Sequence, residues 1–212
     1  MTPKFDRLVE DMDASPKDVG QQQPPAKVAV AQHPDNVLMN TFYRYLMDQE
    51  NAGMTGYNPK TKMWFPHNSV EGGTKTLGYG HKFPTDAIQK KWYKDHPKGI
   101  STPEVLKLLQ DDVTVHALRA KANVDKMTKD GTWMKLPVDS KLMLLDIEYT
   151  PGLSKFPKFV KAVTTGNWTG NKLSADKHYK RYTKGRELTR RNNAFFNLFL
   201  RNKISVKKTR NP

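Results

Sequence analysis

The stretch Glu71-Gly72-Gly73-Thr74-Lys75-Thr76-Leu77-Gly78-Tyr79-Gly80-His81 combines a turn signal, a short polar strand and a carboxylate, and the rest of the chain is read outward from it. Gly72 and Gly73 tolerate the positive φ angles of a tight hairpin turn, so Thr74 to Tyr79 is expected to leave that turn as a strand. Side chains alternate along a strand, which would set Leu77 and Tyr79 on one face and Thr76 on the other with Gly78 and Gly80. Glycine inside a strand marks a close approach by another group. Such a strand offers a hydroxyl at the head of a track bare of side chains, with Glu71 across the turn: a floor for an extended polar ligand such as a glycan. The competing reading is an ordinary hairpin whose glycines only relieve crowding.

Upstream, Leu38, Phe42, Tyr45, Leu46 and Gln49 recur at three- and four-residue spacing. This predicts an amphipathic helix capped by Asp35 or Asn36 and ended by Gly53. Glu50 then falls in or just past the last turn, beside the apolar stripe; a lone Glu is ordinarily a solvated surface residue, and that reading stands beside a catalytic one. Between Asn51 and Ser69 a loop or hairpin rich in Gly, Pro and Asn carries Tyr57, Trp64 and Phe65. Such rings either stack on pyranose faces or close a small core beneath the sheet.

Downstream, Ser101-Thr102-Pro103-Glu104 has capping-box spacing with a proline in the first turn, opening a helix along Val105, Leu108, Leu109 and Val113. Further helices are expected over 139–149, 155–165, 174–182 and 188–201, with Leu142, Leu145, Phe156, Phe159, Val160, Phe195 and Phe199 in the core. The fold class that follows is α+β, a small β-hairpin lobe joined to a larger helical lobe with a cleft between them. Residues 1–36, with Gln21-Gln22-Gln23-Pro24-Pro25 at their centre, are polar and proline-broken and read as an N-terminal extension or docking tail ahead of a domain over 37–212.

Composition narrows the classes. The 212 residues suffice for one sizeable core, and no apolar run approaches the ~18 residues that span a membrane. Thirty-six Lys plus Arg against 21 Asp plus Glu give +15, a charge that attracts polyanions, whether nucleic acid or an anionic bacterial surface. Lys and Arg are spread along the chain rather than gathered in a DNA-reading motif, so no sequence-specific nucleic-acid binding is expected. Cysteine is absent, which excludes disulfides and cysteine-based zinc sites. Met1-Thr2-Pro3-Lys4-Phe5-Asp6 lacks the basic and apolar regions of a secretory signal.

Thr76-Leu77-Gly78-Tyr79-Gly80-His81 resembles the Thr-Ile-Gly-Tyr-Gly-His signature of the phage lysozyme family, the muramidases and endolysins that cleave bacterial peptidoglycan. Four other stretches agree in the right order. Leu46 to Gly53 fits the helix end that carries the family's catalytic acid, at Glu50. Leu108-Leu109-Gln110-Asp111-Asp112-Val113 resembles its Leu-Leu-x-x-Asp-Leu helix, and Tyr149 to Phe156 its Phe-Asn-x-Gly-x-x-x-Phe turn. Leu188 to Leu200 is similar to its closing Leu-x-Arg-Arg-x-x-Glu-x-x-Leu-Phe-Leu helix. The resemblance implies a lysozyme-like fold, no cofactor or metal, and a phage protein, free endolysin or virion lysozyme, acting at the cell wall. It implies catalysis by Glu50, Glu71 and Thr76, and glycan contacts from Gly78, Tyr79, Gly80, Trp64 and Tyr149. Peptidoglycan is the expected partner, with other virion proteins met through residues 1–36.

Hydrolysis of a glycosidic bond needs a protonated acid for the leaving oxygen and an ionised carboxylate opposite. A partly apolar surrounding keeps such an acid protonated, and Glu50 beside its helix stripe has that setting; Glu71 on the glycine turn suits the solvated role. The family's second carboxylate stands six places before the signature threonine, where this chain has Val70, so Glu71 is one residue nearer and one methylene longer, with His67 as the fallback for orienting water. Thr150 and Asn193 also replace family residues in the helical lobe, and His81 reads as a structural link between lobes. Two other classes are weighed. A zinc amidase or peptidase using His67 and His81 lacks the helical His-Glu-x-x-His spacing, and a lysozyme-fold virion protein without activity would bind polyanions.

Overall fold

A computed structural model describes residues 34–68 and 75–204; the 1–33 part of the expected N-terminal extension and the loop over 69–74 lie outside the described residues. Helix α1, Pro34–Asn51, buries Phe42, Tyr45 and Leu46 of the predicted stripe together with Met39, while Leu38 and Gln49 are only partly buried. It begins at Pro34, a residue suited to a first turn, so Asp35 and Asn36 fall inside the helix rather than capping it. Asn51 closes the other end, its Oδ1 accepting from the Thr55 amide at 2.8 Å and its Nδ2 donating to the Thr55 carbonyl at 2.9 Å.

Two short antiparallel pairs follow. Strands β1 (Tyr57–Asn58) and β2 (Met63–Trp64) pair Tyr57 with Trp64, and β3 (Thr76–Leu77) and β4 (His81–Lys82) pair Thr76 with Lys82 and Leu77 with His81. His67 and Thr76 form an isolated antiparallel bridge. The strand expected over Thr74 to Tyr79 is therefore shorter, because Gly78 at φ +58° and Gly80 at φ +96° turn the chain instead of extending it. Trp64, Leu77, Phe83, Ile100 and Val105 make a small core under these strands. Helix α2, Asp86–Asp95, has no buried residue and rests Trp92 on Phe83 at 5.9 Å between ring centroids; it carries few apolar residues, and sequence reading passes over it.

Helix α3, Thr102–Met127, joins the two halves. Glu104 accepts from the Ser101 amide at 2.7 Å and its hydroxyl at 2.6 Å, as the capping spacing predicts. Its Val105 belongs to the small core, whereas Leu109, Val113, Ala117, Ala120 and Val124 belong to the large helical one. The short α4 (Thr132–Lys135) leads to α5, Val138–Tyr149, in which every residue from Ser140 to Ile147 is buried. A helix covered on all sides is central, and α5 packs on α1, α3 and α6 (Pro157–Thr164). Full burial of each large apolar side chain here is worth ~1.5–3 kcal/mol.

The last third departs most from expectation. The helix predicted over 174–182 is only the 3-10 turn Ala175–Lys177, because Asp176 accepts from the Thr169 and Ser174 hydroxyls and holds the segment in turns. A hairpin of β5 (Tyr182–Thr183) and β6 (Arg186–Glu187) follows; Lys184 and Gly185 both have positive φ, the requirement of a two-residue hairpin turn. The final predicted helix is present as α7, Thr189–Phe195, and continues as a π-helical turn over Phe196–Leu200. The class is mixed, mainly helical with small antiparallel pairs, and among the described residues no helix is long and apolar enough to cross a membrane.

Candidate active site

Glu50 occupies the last turn of α1, where the two cores meet. Asn51 Nδ2 donates to the Gly78 carbonyl at 2.8 Å, so the helix end is fastened to the β3–β4 turn. That turn passes over the carboxylate. A Cβ added at Gly80 would stand 3.5 Å from Glu50 Oε2.

The other oxygen is held. Arg191 on α7 donates from Nη1 to Glu50 Oε1 at 2.5 Å and from Nη2 to Asp146 Oδ1 at 2.7 Å. Asp146 on α5 is fully buried and accepts at Oδ2 from Arg181 Nη1 at 2.5 Å and from the Tyr45 hydroxyl at 2.9 Å. Burial alone would raise the Asp146 pKa, but Arg191 and Arg181 outweigh it and hold the carboxyl below its usual range. Burial likewise opposes the Arg191 charge, and the two carboxylates more than restore it. Two carboxylates and two guanidiniums thus balance in a region nearly closed to water, where an uncompensated charge would be costly. Asn192 fixes Arg181, accepting from its amide at 3.0 Å and donating to its carbonyl at 3.1 Å.

The expected apolar surrounding of Glu50 is therefore corrected: the apolar stripe lies beside it, but its nearest described partner is a guanidinium. Sequence reading missed Asp146, Arg181 and Asn51 as members of the site. The available signal was Asp146 itself, a lone acid inside Leu142-Met143-Leu144-Leu145-Asp146-Ile147, since an acid in a buried run needs a paired cation.

The remaining expected site residues divide. Thr76 is 9% exposed, and its Oγ1 lies 3.4 Å from His67 Nδ1; the opposite His67 nitrogen, Nε2, has no hydrogen-bond partner among the described residues. Glu71 lies outside the described residues. Trp64 is fully buried, donates from Nε1 to Thr102 Oγ1 at 3.1 Å and packs between Tyr57 and Tyr79, so it closes the small core and cannot stack on a sugar. Gly78 does not line an open track with Thr76 either. A Cβ there would come within 2.3 Å of Val105 Cγ1, and the glycine serves a positive φ and a close approach to α3.

Tyr79 is half-buried and packs against both cores. Tyr149 packs on the His116 ring at 4.5 Å. Burial chiefly, then the negative charges of Glu50 and Asp112, push its hydroxyl pKa well above the usual value, so it stays a neutral donor. His81 bridges β4 to α3, its Nδ1 3.1 Å from both carboxylate oxygens of Asp112, as expected of a structural link. No cluster of metal-binding side chains occurs among the described residues.

Comparison of the chain with protein families, with curated proteins and with solved structures returns no match.

Proposed function

We propose that the chain is a lysozyme-like peptidoglycan hydrolase of the phage lysozyme kind, cleaving the glycan strand at the bacterial wall as a free endolysin or a virion lysozyme. The observation that carries this reading is the carboxylate of Glu50: one oxygen fixed by Arg191, the other facing bare backbone at Gly80 in the turn of the Thr76-to-His81 signature. A general acid must meet the leaving oxygen in a fixed orientation, and the Arg191 contact holds the Glu50 carboxylate in one.

In the proposed reaction the glycosidic C–O bond breaks as Glu50 gives its proton to the leaving oxygen. Water forms the new bond to the sugar carbon and passes its proton to Glu71, which releases it to solvent as solvent returns a proton to Glu50. Thr76 holds the water, and His67, whose Nδ1 lies 3.4 Å from the Thr76 hydroxyl, orients it. Residues 1–36 are the proposed contact with other virion proteins. Turbidity clearing of purified peptidoglycan, with and without chelator, is the test. Clearing that survives chelation supports the reading; no clearing at any pH from 4 to 9 overturns it. That second outcome would leave a lysozyme-fold polyanion binder, a reading that the neutralised Glu50–Arg191 pair favours.

A further inference from the structure

Two adjoining hollows lie away from Glu50. The first, about 400 Å³, runs between the start of α6 and the segment leading into β5 and is lined by Lys155, Phe156, Lys158, Lys177, Lys180 and Tyr182 among others. The second, about 610 Å³, shares Lys177 with it and adds Lys172, Thr169, Asn171 and Asp176. Five lysines thus face one lining carboxylate, Asp176. Asp176 accepts from the Ser174 and Thr169 hydroxyls and pairs with Lys177 at 3.6 Å, and Glu187 pairs with Lys180 at 3.2 Å. Among the described residues neither Lys155 nor Lys158 is ion-paired. Tyr182 is 55% exposed, an aromatic face beside the ammonium groups.

We infer that this groove is a binding site for a phosphodiester-linked polyol or sugar polymer, distinct from the Glu50 site. Lysines act as point charges towards phosphate, and ammonium groups spread along two joined hollows suit an anion that repeats. The lining holds no arginine fork for a carboxylate or a base edge. Of its aromatic side chains only Tyr182 is exposed, Phe156 and His178 being half-buried and Phe159 buried, so it lacks the successive open platforms that single-stranded nucleic acid uses, which favours the polyol polymer. Binding here needs no hydrolysis and stands whether or not the Glu50 site is active.

The test is fluorescence anisotropy of an end-labelled synthetic poly(glycerol phosphate) chain over a salt series, with the full chain. Lys155→Gln/Lys158→Gln should weaken binding about tenfold and lower the log–log salt slope by about 1.4, since each phosphate contact contributes ~0.7 on a flexible chain. Lys90→Gln/Lys94→Gln on α2 makes the same change of net charge elsewhere and should shift affinity less than about twofold; circular dichroism melting confirms that each variant is folded. Equal losses in both double variants, or none in either, overturn the proposal. A single-stranded oligothymidylate of equal charge that binds tighter than the polyol polymer, and loses affinity in the groove variant alone, overturns the choice of ligand and makes the groove a nucleic-acid site.

Discussion

Arg191 donates from Nη1 to Glu50 Oε1 at 2.5 Å, across 141 residues of sequence, and ties the end of α1 to α7. The same guanidinium reaches Asp146, so orienting Glu50 and neutralising the centre of the helical core are one arrangement. Changes at either carboxylate should separate the two tasks.

Glu50→Gln keeps an oxygen for Arg191 and removes the titratable proton. Peptidoglycan clearing should fall at least about 100-fold; because the pair with Arg191 is largely buried, the melting temperature should fall too, by ~2–4 °C for each kcal/mol lost, so clearing is compared well below the melting range of both proteins. Retention of more than about a tenth of the parental rate would remove Glu50 from the acid role.

Asp146→Asn should act on stability first. It leaves Arg181 and Arg191 facing a neutral amide inside the core, which should cost about 3–5 kcal/mol. A lower urea midpoint at unchanged m-value is the expected reading. A loss below about 1 kcal/mol would mean that the arginines find other partners.

His81 and Asp112 set a pH dependence. The hydrogen bond from Asp112 comes first, opposed by burial and reinforced by the charges of Asp112 and Asp111, and the net result is a raised His81 pKa. A raised folded-state pKa means stability fully present below the unfolded value, ~6.5, and lost as pH rises through the folded one. Asp112→Asn should therefore destabilise the protein by on the order of 1 kcal/mol at pH 5.5 and by less at pH 9. Equal destabilisation at both pH values would assign the pair no electrostatic part.

The glycines of the signature should differ. Gly78→Ala meets Val105 and a positive φ together, costing ~2–5 kcal/mol as strain of ~1–2 plus overpacking of ~1–3, and Val105→Ala should recover only the packing share. Gly80→Ala has room but places a methyl group near Glu50. It should lower stability by the smaller strain share and reduce glycan turnover more than its stability loss accounts for. Thermal melts with clearing assays on the three variants separate these effects.

Glu71→Gln should depress hydrolysis strongly and His67→Ala more mildly, with the His67 effect falling on kcat rather than KM, as expected of a residue that acts through Thr76. The reverse order would transfer the water-positioning role to His67.

Much of the helical frame was legible because its determinants are local. Apolar residues at helical spacing mark α1 and α3, the Ser101–Glu104 capping pair marks where α3 starts, and the end of α1 places Glu50 beside a turn. The 3-10 turn at Ala175, the Lys184–Gly185 hairpin and α2 escaped that reading. In the first, side-chain hydrogen bonds to Asp176 override helix formation; the hairpin strands are two residues each, too short to show alternation, and α2 carries few apolar residues, none of them buried.

By itself the sequence determined which helix faces would be buried and which acid would end α1, since burial periodicity acts within a few residues. Only the tertiary structure decided what those residues meet. Gly78 abuts Val105 instead of a ligand track, Trp64 goes wholly into a core, and Arg191 is shared by Glu50 and Asp146. Charge pairing and close packing depend on distances between elements far apart in the chain, and such distances leave no period in the sequence.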